Sequence, residues 1–179
     1  MPGANIPLEV RVAGERDIEA VRSCLAAAFE PYRAAYTPGA FLDTVPDREG
    51  LALRMRTMTV LVVDRVAEVG ADADAGKDRV ERAGVGCVIG TVAYQVSEPG
   101  VGHLRGMAVL PEFHGCGAAE RLLAAAEAGL RALGCARVTL DTTRPLERAV
   151  RFYERRGYRP TGAPGDFHGM PLFEYEKRL

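Results

Sequence analysis

Two glycines stand one residue apart in front of a predicted helix, and their spacing points most directly to chemistry. Gly115 and Gly117 follow a predicted strand that ends near Leu110, and the helix is predicted to begin at Ala118. Glycine has no Cβ atom, so main-chain amides beside it can approach a ligand closely and can adopt a positive φ. The first amides of a helix lack intrahelical partners, and the helix dipole favours a negative charge there. The segment therefore predicts a cradle for a phosphate or diphosphate.

Three interpretations compete for this Gly-x-Gly segment. A dinucleotide-binding loop requires a third glycine, but Glu120 stands at that position. A phosphate loop of the nucleoside-triphosphatase type requires a Gly-Lys-Ser/Thr ending, which the segment lacks. A tight strand-to-helix turn that binds no ligand is the third interpretation, and two glycines alone do not exclude it.

A wider pattern and a second segment favour a ligand-binding loop. The two segments read Leu104-x-x-Met107-x-Val109-x-Pro111-x-x-His114-Gly115-x-Gly117-x-Ala119 and Ala149-x-x-Phe152-Tyr153-x-x-x-Gly157-Tyr158. In this order and spacing they resemble the acetyl-CoA-binding segment and the later tyrosine-bearing signature of the GCN5-related N-acetyltransferase (GNAT) superfamily. The chain departs from the family pattern at two positions, since His114 replaces a Gln or Arg and Leu146 replaces a frequent Asn.

The resemblance implies both a fold and an activity. The fold is α/β, with a central mixed, mostly antiparallel sheet flanked by helices, and it occupies residues 1–179 as a single domain. The activity is transfer of an acetyl group from acetyl-CoA to an amine by direct attack, without a metal. In the family, the strand before the loop separates from its neighbour, and its amides hold the acetyl carbonyl and the pantetheine. The implied cofactor-binding residues are Met107, Ala108, Val109, His114, Gly115, Cys116, Gly117, Ala118 and Ala119.

Tyr153 is the general acid that the resemblance implies. It lies on the apolar face of a helix predicted over 146–156, where a buried ring with a satisfied hydroxyl is the structural alternative. In the family this tyrosine commonly points at the cofactor sulfur. A phenol can protonate the departing thiolate, whose conjugate acid has a pKa of about 8.5.

The amine must also lose a proton, and His103 is the candidate base. Family members often place a glutamate in this neighbourhood, and imidazole titrates near neutrality. A solvent-exposed histidine at a strand edge is the alternative. Asp141, which ends the next predicted strand, is a second candidate, either as proton acceptor or as anchor for the substrate ammonium.

Three further features have both a functional and a structural interpretation. The stretch 141–159 holds six arginines against three acidic residues, which suits either the phosphates of CoA or a solvated helix face. Tyr32, Tyr36 and Phe41 form either an aromatic wall of the acceptor pocket or part of the core. We interpret Cys116 as a small residue that fills the loop, because transfer in the family is generally direct.

Hydrophobic periodicity supplies the elements that must position these residues. Strands are predicted at 8–12, 59–63, 86–96, 101–110, 137–140, 158–161 and 172–176, and helices at 18–29, 47–58, 118–133 and 146–156. We expect an irregular loop over 31–50, apart from the start of the second helix, and a mobile hairpin over 67–83.

Composition limits the class of protein. The 179 residues are 47% hydrophobic and 26% charged with a net charge of −1, which argues against nucleic-acid binding driven by positive charge. No apolar run approaches the roughly 20 residues that span a bilayer. The first residues resemble no export signal, and the four cysteines are scattered, so we expect a cytoplasmic protein with free thiols. Its partner is an amine, either a small molecule or a protein N-terminus or lysine, and a homodimer is one option.

Two other functions stay open from the sequence. The chain could be a non-catalytic acyl-CoA-binding sensor that has lost a competent acceptor site, since the family glutamate is absent near His103. It could also transfer a different acyl group, such as succinyl or a longer chain.

Overall fold

The computed structural model describes residues 7–66 and 87–179, whose strands form one mixed sheet. The elements are β1 (Leu8–Val12), α1 (Ile18–Phe29), α2 (Pro38–Thr44), α3 (Arg48–Thr57), β2 (Thr59–Arg65), β3 (Cys87–Glu98), β4 (Val101–Val109), α4 (Ala118–Ala132), β5 (Arg137–Thr143), α5 (Glu147–Arg155), β6 (Arg159–Pro160), β7 (Gly165–Phe167) and β8 (Met170–Arg178). The strand order is β1-β2-β3-β4-β5-β8-β6, with β7 paired to β8. Only β4 and β5 pair in parallel among the described strands. The predicted mixed, mostly antiparallel sheet flanked by helices is confirmed.

Helices cover both faces of the sheet. In β2, Leu61 and Val63 belong to one buried cluster and Val62 to the other, because successive strand side chains point to opposite faces. On the first face, α4 buries Leu122, Ala126 and Leu130, and each buried leucine contributes roughly 2 kcal/mol. The second face carries the apolar sides of α1, α2 and α3.

Glycine lets α4 lie close to the sheet. A Cβ atom added at Gly102 would stand 2.5 Å from both Cδ atoms of Leu130, and one added at Gly90 would stand 3.1 Å from Leu122 Cδ1. This close approach fixes where α4 begins relative to the end of β4, and that junction holds the Gly-x-Gly segment.

The prediction of an irregular loop over 31–50 is wrong in part. A 3-10 helix spans Glu30–Ala35 and α2 follows at Pro38–Thr44. The hydroxyl of Thr37 caps α2 by accepting from the amide of Ala40 at 3.3 Å, and Pro38 supplies a preset φ at the first turn. The short strand β7 was also not predicted, and the hairpin expected at 67–83 lies outside the described residues. Among the described helices, none has the length and apolar character to cross a membrane.

The parallel strands β4 and β5 separate halfway along their length. Their pairing ends at Leu104 and Leu140, although β4 continues to Val109 and β5 to Thr143. Just beyond this point the pairing of β4 with β3 is irregular, and Gly106 adopts a φ of 61°. Such a bulge bends a strand away from its neighbour. The separation leaves a gap between β4 and β5 that α5 borders.

Candidate active site

The Gly-x-Gly segment forms the turn between β4 and α4. After a short 3-10 helix at Pro111–Phe113, Gly115 and Gly117 have φ values of 85° and 87°, and Gly117 is the N-cap of α4. Side chains with a Cβ atom are strained in this left-handed region. A Cβ added at either glycine would meet no heavy atom within 4 Å, so the space beside the turn is open.

The turn leaves a row of main-chain amides without acceptors. Across residues 7–66 and 87–179, no carbonyl or side chain accepts a hydrogen bond from the amides of Gly115, Gly117, Ala118 and Ala119. Unpaired amides at the positive end of a fifteen-residue helix attract an anion. The geometry fits the phosphate cradle that the sequence predicts.

The imidazole of His114 links the turn to α5. Its Nε2 atom lies 3.0 Å from the Val109 carbonyl oxygen, and its Nδ1 atom lies 2.9 Å from Arg148 Nη1. A guanidinium only donates and a carbonyl only accepts, so the two contacts select the neutral ring with its proton on Nε2. His114 thereby holds the Arg148 side chain beside the turn.

A cavity of about 300 Å³ lies between the turn, the end of β4 and α5, and we call it the loop cavity. All predicted cofactor-binding residues except Cys116 border it: Met107, Ala108, Val109, His114, Gly115, Gly117, Ala118 and Ala119. Cys116 packs against the hydrophobic cluster that contains Leu122, which agrees with its interpretation as loop filler. The cavity wall also includes Phe152 from the second family segment, Arg148 and Arg155 from the arginine-rich stretch, and Phe113, which the sequence did not single out.

A second cavity, of about 380 Å³, lies beside His103, and we call it the histidine cavity. The residues that border both cavities are Phe29, Met107, Leu146, Ala149 and Tyr153. The two cavities therefore meet in the gap where β4 and β5 separate. Leu146, which stands where the family often has Asn, is part of this junction.

Tyr153 is the polar side chain at the junction. Its residue is 8% exposed, and its ring makes edge-to-face contacts with Phe152 and Tyr158 at centroid distances of 5.5 and 5.6 Å. Burial raises its pKa, because the phenolate would lose hydration. Among residues 7–66 and 87–179, no group forms a hydrogen bond with its hydroxyl.

His103 lies between two polar partners on β5. Its Nδ1 atom is 2.9 Å from Thr139 Oγ1, and its Nε2 atom is 3.5 Å from Asp141 Oδ2. Thr139 directs its hydroxyl hydrogen at the Gly102 carbonyl oxygen, 3.4 Å away, so its oxygen accepts from Nδ1–H. This arrangement leaves a lone pair on Nε2.

Burial changes the protonation of both members of this pair. It lowers the pKa of His103, an effect that the charge of Asp141 opposes, and it raises the pKa of Asp141. The predicted base and the alternative acceptor thus lie side by side, and both border the histidine cavity.

The sequence analysis did not identify three other polar residues of the histidine cavity, which are Asp43, Arg105 and Thr143. Asp43 on α2 forms an ion pair with Arg105 on β4, and the buried hydroxyl groups of Tyr36 and Thr143 are 2.7 Å apart. These partners are far apart in the chain, so no local pattern links them.

The three aromatic side chains of the 31–50 segment have three different positions. Tyr36 borders the histidine cavity, whereas Tyr32 borders the loop cavity. Phe41 is buried in the core, and the guanidinium of Arg33 lies 4.0 Å from its ring centroid. The segment therefore does not form a single aromatic wall.

The arginines of the 141–159 stretch divide in the same way. Arg148 and Arg155 border the loop cavity. Arg151 and Arg156 instead form exposed ion pairs with Glu147 and Glu120. Two arginines, rather than the whole stretch, bring positive charge to the turn.

Comparisons with known proteins identify the same fold. The profile of the acetyltransferase (GNAT) family matches residues 72–158, and a comparison with proteins of curated function finds no match. Similar solved structures include PaiA N-acetyltransferase from Thermoplasma acidophilum in complex with coenzyme A, with 16% identity, coverage of 97% of this chain and 100% of that chain, and a TM-score of 0.71. An acetyltransferase of the GNAT family from Staphylococcus aureus Mu50 has 12% identity, coverage of 97% and 99%, and a TM-score of 0.71. A GCN5-related N-acetyltransferase from Rhodopseudomonas palustris has 18% identity, coverage of 100% and 99%, and a TM-score of 0.68.

The structural likeness, at these identities, establishes the fold, and the profile match locates the family's own segments. The match includes β4, the Gly-x-Gly turn, α4, β5 and α5, and each of these contributes residues to the two cavities. Residues 72–158 therefore match the GNAT acetyltransferase family, and the chain has the fold of solved GNAT acetyltransferases.

Proposed function

We propose that this chain transfers an acetyl group from acetyl-CoA to a primary amine by direct attack. The observation that carries the proposal is the junction of the two cavities at Tyr153. A thioester at this junction would have a row of free amides on one side and a proton acceptor on the other. Holding the two reactants together in this way supplies much of the rate enhancement in such reactions.

The residues of the loop cavity fit coenzyme A. The free amides of the Gly-x-Gly turn would donate to the diphosphate, and Arg148 and Arg155 would add charge from the opposite wall. The main chain of Met107, Ala108 and Val109 would hold the pantetheine and the acetyl carbonyl, since β5 no longer pairs with β4 there. Acetyl-CoA, when bound, supplies an activated acetyl group, and no metal is part of the proposal.

His103 and Tyr153 would move the two protons that the reaction requires. The amine nitrogen forms a bond to the acetyl carbon as the carbon–sulfur bond breaks. His103 Nε2 accepts the proton that the nitrogen loses, and the Tyr153 hydroxyl donates a proton to the sulfur. The lowered pKa of His103 keeps its ring unprotonated at neutral pH, and the raised pKa of Tyr153 keeps its hydroxyl protonated.

The remaining expectations about context stay predictions. The acceptor would be a small-molecule amine or the amine of a protein N-terminus or lysine. The other two expectations are a cytoplasmic location and assembly as a homodimer.

Binding and turnover measured together test the proposal. Isothermal titration calorimetry with acetyl-CoA should give saturable binding, and thiol release should require an added amine. Binding without thiol release across an amine panel would favour the acyl-CoA sensor. Faster release from succinyl-CoA or a longer acyl-CoA would indicate a different acyl group, and absence of binding would contradict every version of the proposal.

A further inference from the structure

The positive end of the histidine cavity carries Arg105, whose guanidinium is already paired within the chain. Arg105 is ion-paired with Asp43, which lies on α2. Arg54 on α3 donates to the main-chain oxygen of Asp43 at 3.0 Å. A ligand carboxylate at this end would have to compete with Asp43 for the same guanidinium.

The opposite end of the cavity carries the carboxylate of Asp141. Glu174 on β8 stands directly opposite Asp141 on β5 in the strand register, and cross-strand partners share a face of the sheet. The ion pairs of the described residues give Asp141 one partner, His103, whose ring is neutral in the tautomer that Thr139 selects.

Two hydrogen-bond acceptors face each other at this negative end. His103 Nε2 and Asp141 Oδ2 are 3.5 Å apart, and the Nδ1–H tautomer leaves no proton between them. An ammonium group has several N–H donors and a positive charge. It could donate to both atoms at once and offset the charge of the carboxylate.

A buried hydroxyl and apolar walls complete the cavity. Thr142 borders it and is 3% exposed, and its Oγ1 atom has no hydrogen-bond partner among residues 7–66 and 87–179. The aromatic rings of Phe29 and Phe167 and the side chain of Leu172 form apolar wall.

We infer that the acceptor is a primary amine that binds as a cation, with an apolar body and without a carboxylate next to its nitrogen. Its ammonium group lies between His103 Nε2 and Asp141 Oδ2, and its body lies against Phe29 and Phe167. The ammonium gives one proton to His103 Nε2 and becomes the nucleophile. The second proton, released as the amide forms, replaces the proton that Tyr153 gives to the sulfur. The inference rests on the proposed function, because it describes the acceptor of that reaction.

The position of Asp141 excludes α-amino acids from this class. A carboxylate on the carbon next to the amine would lie against the carboxylate of Asp141. Like charges in a partly buried site repel strongly, because water screens them poorly. The selectivity against α-amino acids therefore comes from charge and does not depend on the shape of the apolar part of the acceptor.

Matched pairs of acceptors test the inference, with thiol release as the assay. Each pair differs only by the α-carboxylate: 2-phenylethylamine with phenylalanine, tyramine with tyrosine, and 3-methylbutylamine with leucine. We expect kcat/KM at least about 10-fold higher for the amine in every pair that reacts. A short peptide with a free N-terminus and a lysine serves as the macromolecular alternative.

Variants identify the source of the discrimination. Asp141→Asn should raise KM for the amines about 10-fold. It should also reduce the ratio of kcat/KM between each amine and its matching amino acid. The matched control is Glu176→Gln, since Glu176 is also acidic and on the neighbouring strand but pairs with Arg137 outside the cavity. This control should leave the KM for the amines and the ratio of kcat/KM between amine and amino acid unchanged.

Each result separates the inference from the proposed function. Preference for the amino acid in any pair, faster reaction of the peptide than of every amine, or an unchanged Asp141→Asn variant would overturn the inference. Reaction of an amino acid or the peptide while none of the three amines reacts would overturn it as well. Loss of the proposed function would appear differently, as failure to bind acetyl-CoA or as binding with no reaction of any amine, amino acid or peptide.

Discussion

The hydroxyl of Tyr153 is a proton donor whose chemistry is set by burial. Burial raises its pKa, so the hydroxyl keeps its proton through the physiological range. A thiolate that leaves at the same junction would also lose hydration, and its affinity for a proton would rise for the same reason. We therefore expect Tyr153 to protonate the sulfur during the reaction and to contribute little to the binding of coenzyme A.

Tyr153→Phe removes only this hydroxyl. We expect kcat to fall by about 100-fold, because general acid catalysis contributes about 10²–10⁴-fold. The dissociation constant of acetyl-CoA, measured by calorimetry, should stay within about twofold. Tyr94→Phe is the control, since Tyr94 is also a buried ring but borders neither cavity. An unchanged kcat in Tyr153→Phe would mean that another group protonates the sulfur.

The pH dependence of the reaction should report on His103. The ring acts as a base only above its pKa, and burial lowers that pKa from 6.5 while Asp141 and Glu174 raise it and Arg105 lowers it further. The acid limb of kcat/KM should therefore lie below pH 6.5. Asp141→Asn removes a charge that favours the imidazolium, so the limb should move to still lower pH. Rates measured between about pH 5 and 8 check both signs, and a limb above 6.5 would contradict the role of His103.

The sequence predicts some structural elements better than others. The turn was predictable because glycine at 115 and 117 is informative by itself, and both positions require a positive φ. The helix α2 was missed because its signal is one capping threonine and one proline within a segment rich in helix breakers. The histidine cavity was only half predicted: His103 and Asp141 follow from their places on strands, whereas the pairing of Asp43 with Arg105 depends on the tertiary fold.

The two ends of α4 allow a matched test of the anion cradle. Gly117 at its start and Gly134 just past its end both have positive φ, at 87° and 81°, and open space beside them. Gly117→Glu and Gly134→Glu should therefore introduce similar backbone strain, about 1–2 kcal/mol each. Only the first places a carboxylate among the free amides, so we expect acetyl-CoA affinity to fall by about 100-fold or more in that variant alone. Equal affinities by calorimetry would show that the diphosphate binds elsewhere.

At the scale of the whole molecule, α4 is tied by a buried carboxylate to β8, which lies two strands beyond β4 in the sheet. Glu127 on α4 accepts from Lys177 Nζ on β8 at 2.8 Å with both oxygens, and from the Tyr158 hydroxyl at 3.0 Å. Its side chain is 8% exposed, and a buried charge is tolerated when it is paired in this way. The helix that begins with the cradle is thus connected to β8 by charge as well as by apolar packing.

Glu127→Ala should therefore destabilise the fold without altering the site. The change leaves the buried Tyr158 hydroxyl and the Lys177 ammonium without their acceptor. Breaking a fully buried pair costs about 3–5 kcal/mol, but Lys177 is 24% exposed, so we expect about 2 kcal/mol and a fall in Tm of roughly 5 °C. Glu120→Ala, which breaks the exposed pair with Arg156 on the same helix, should cost less than about 1 kcal/mol.

Scanning calorimetry of the two variants measures this difference, and acetyl-CoA titration well below Tm checks the site. Glu127 borders neither cavity, so its variant should bind acetyl-CoA as the unchanged chain does. Equal Tm values for the two variants would mean that apolar packing alone holds α4 in place. Lost acetyl-CoA binding in a folded Glu127→Ala variant would instead mean that the cradle depends on how α4 is anchored at β8.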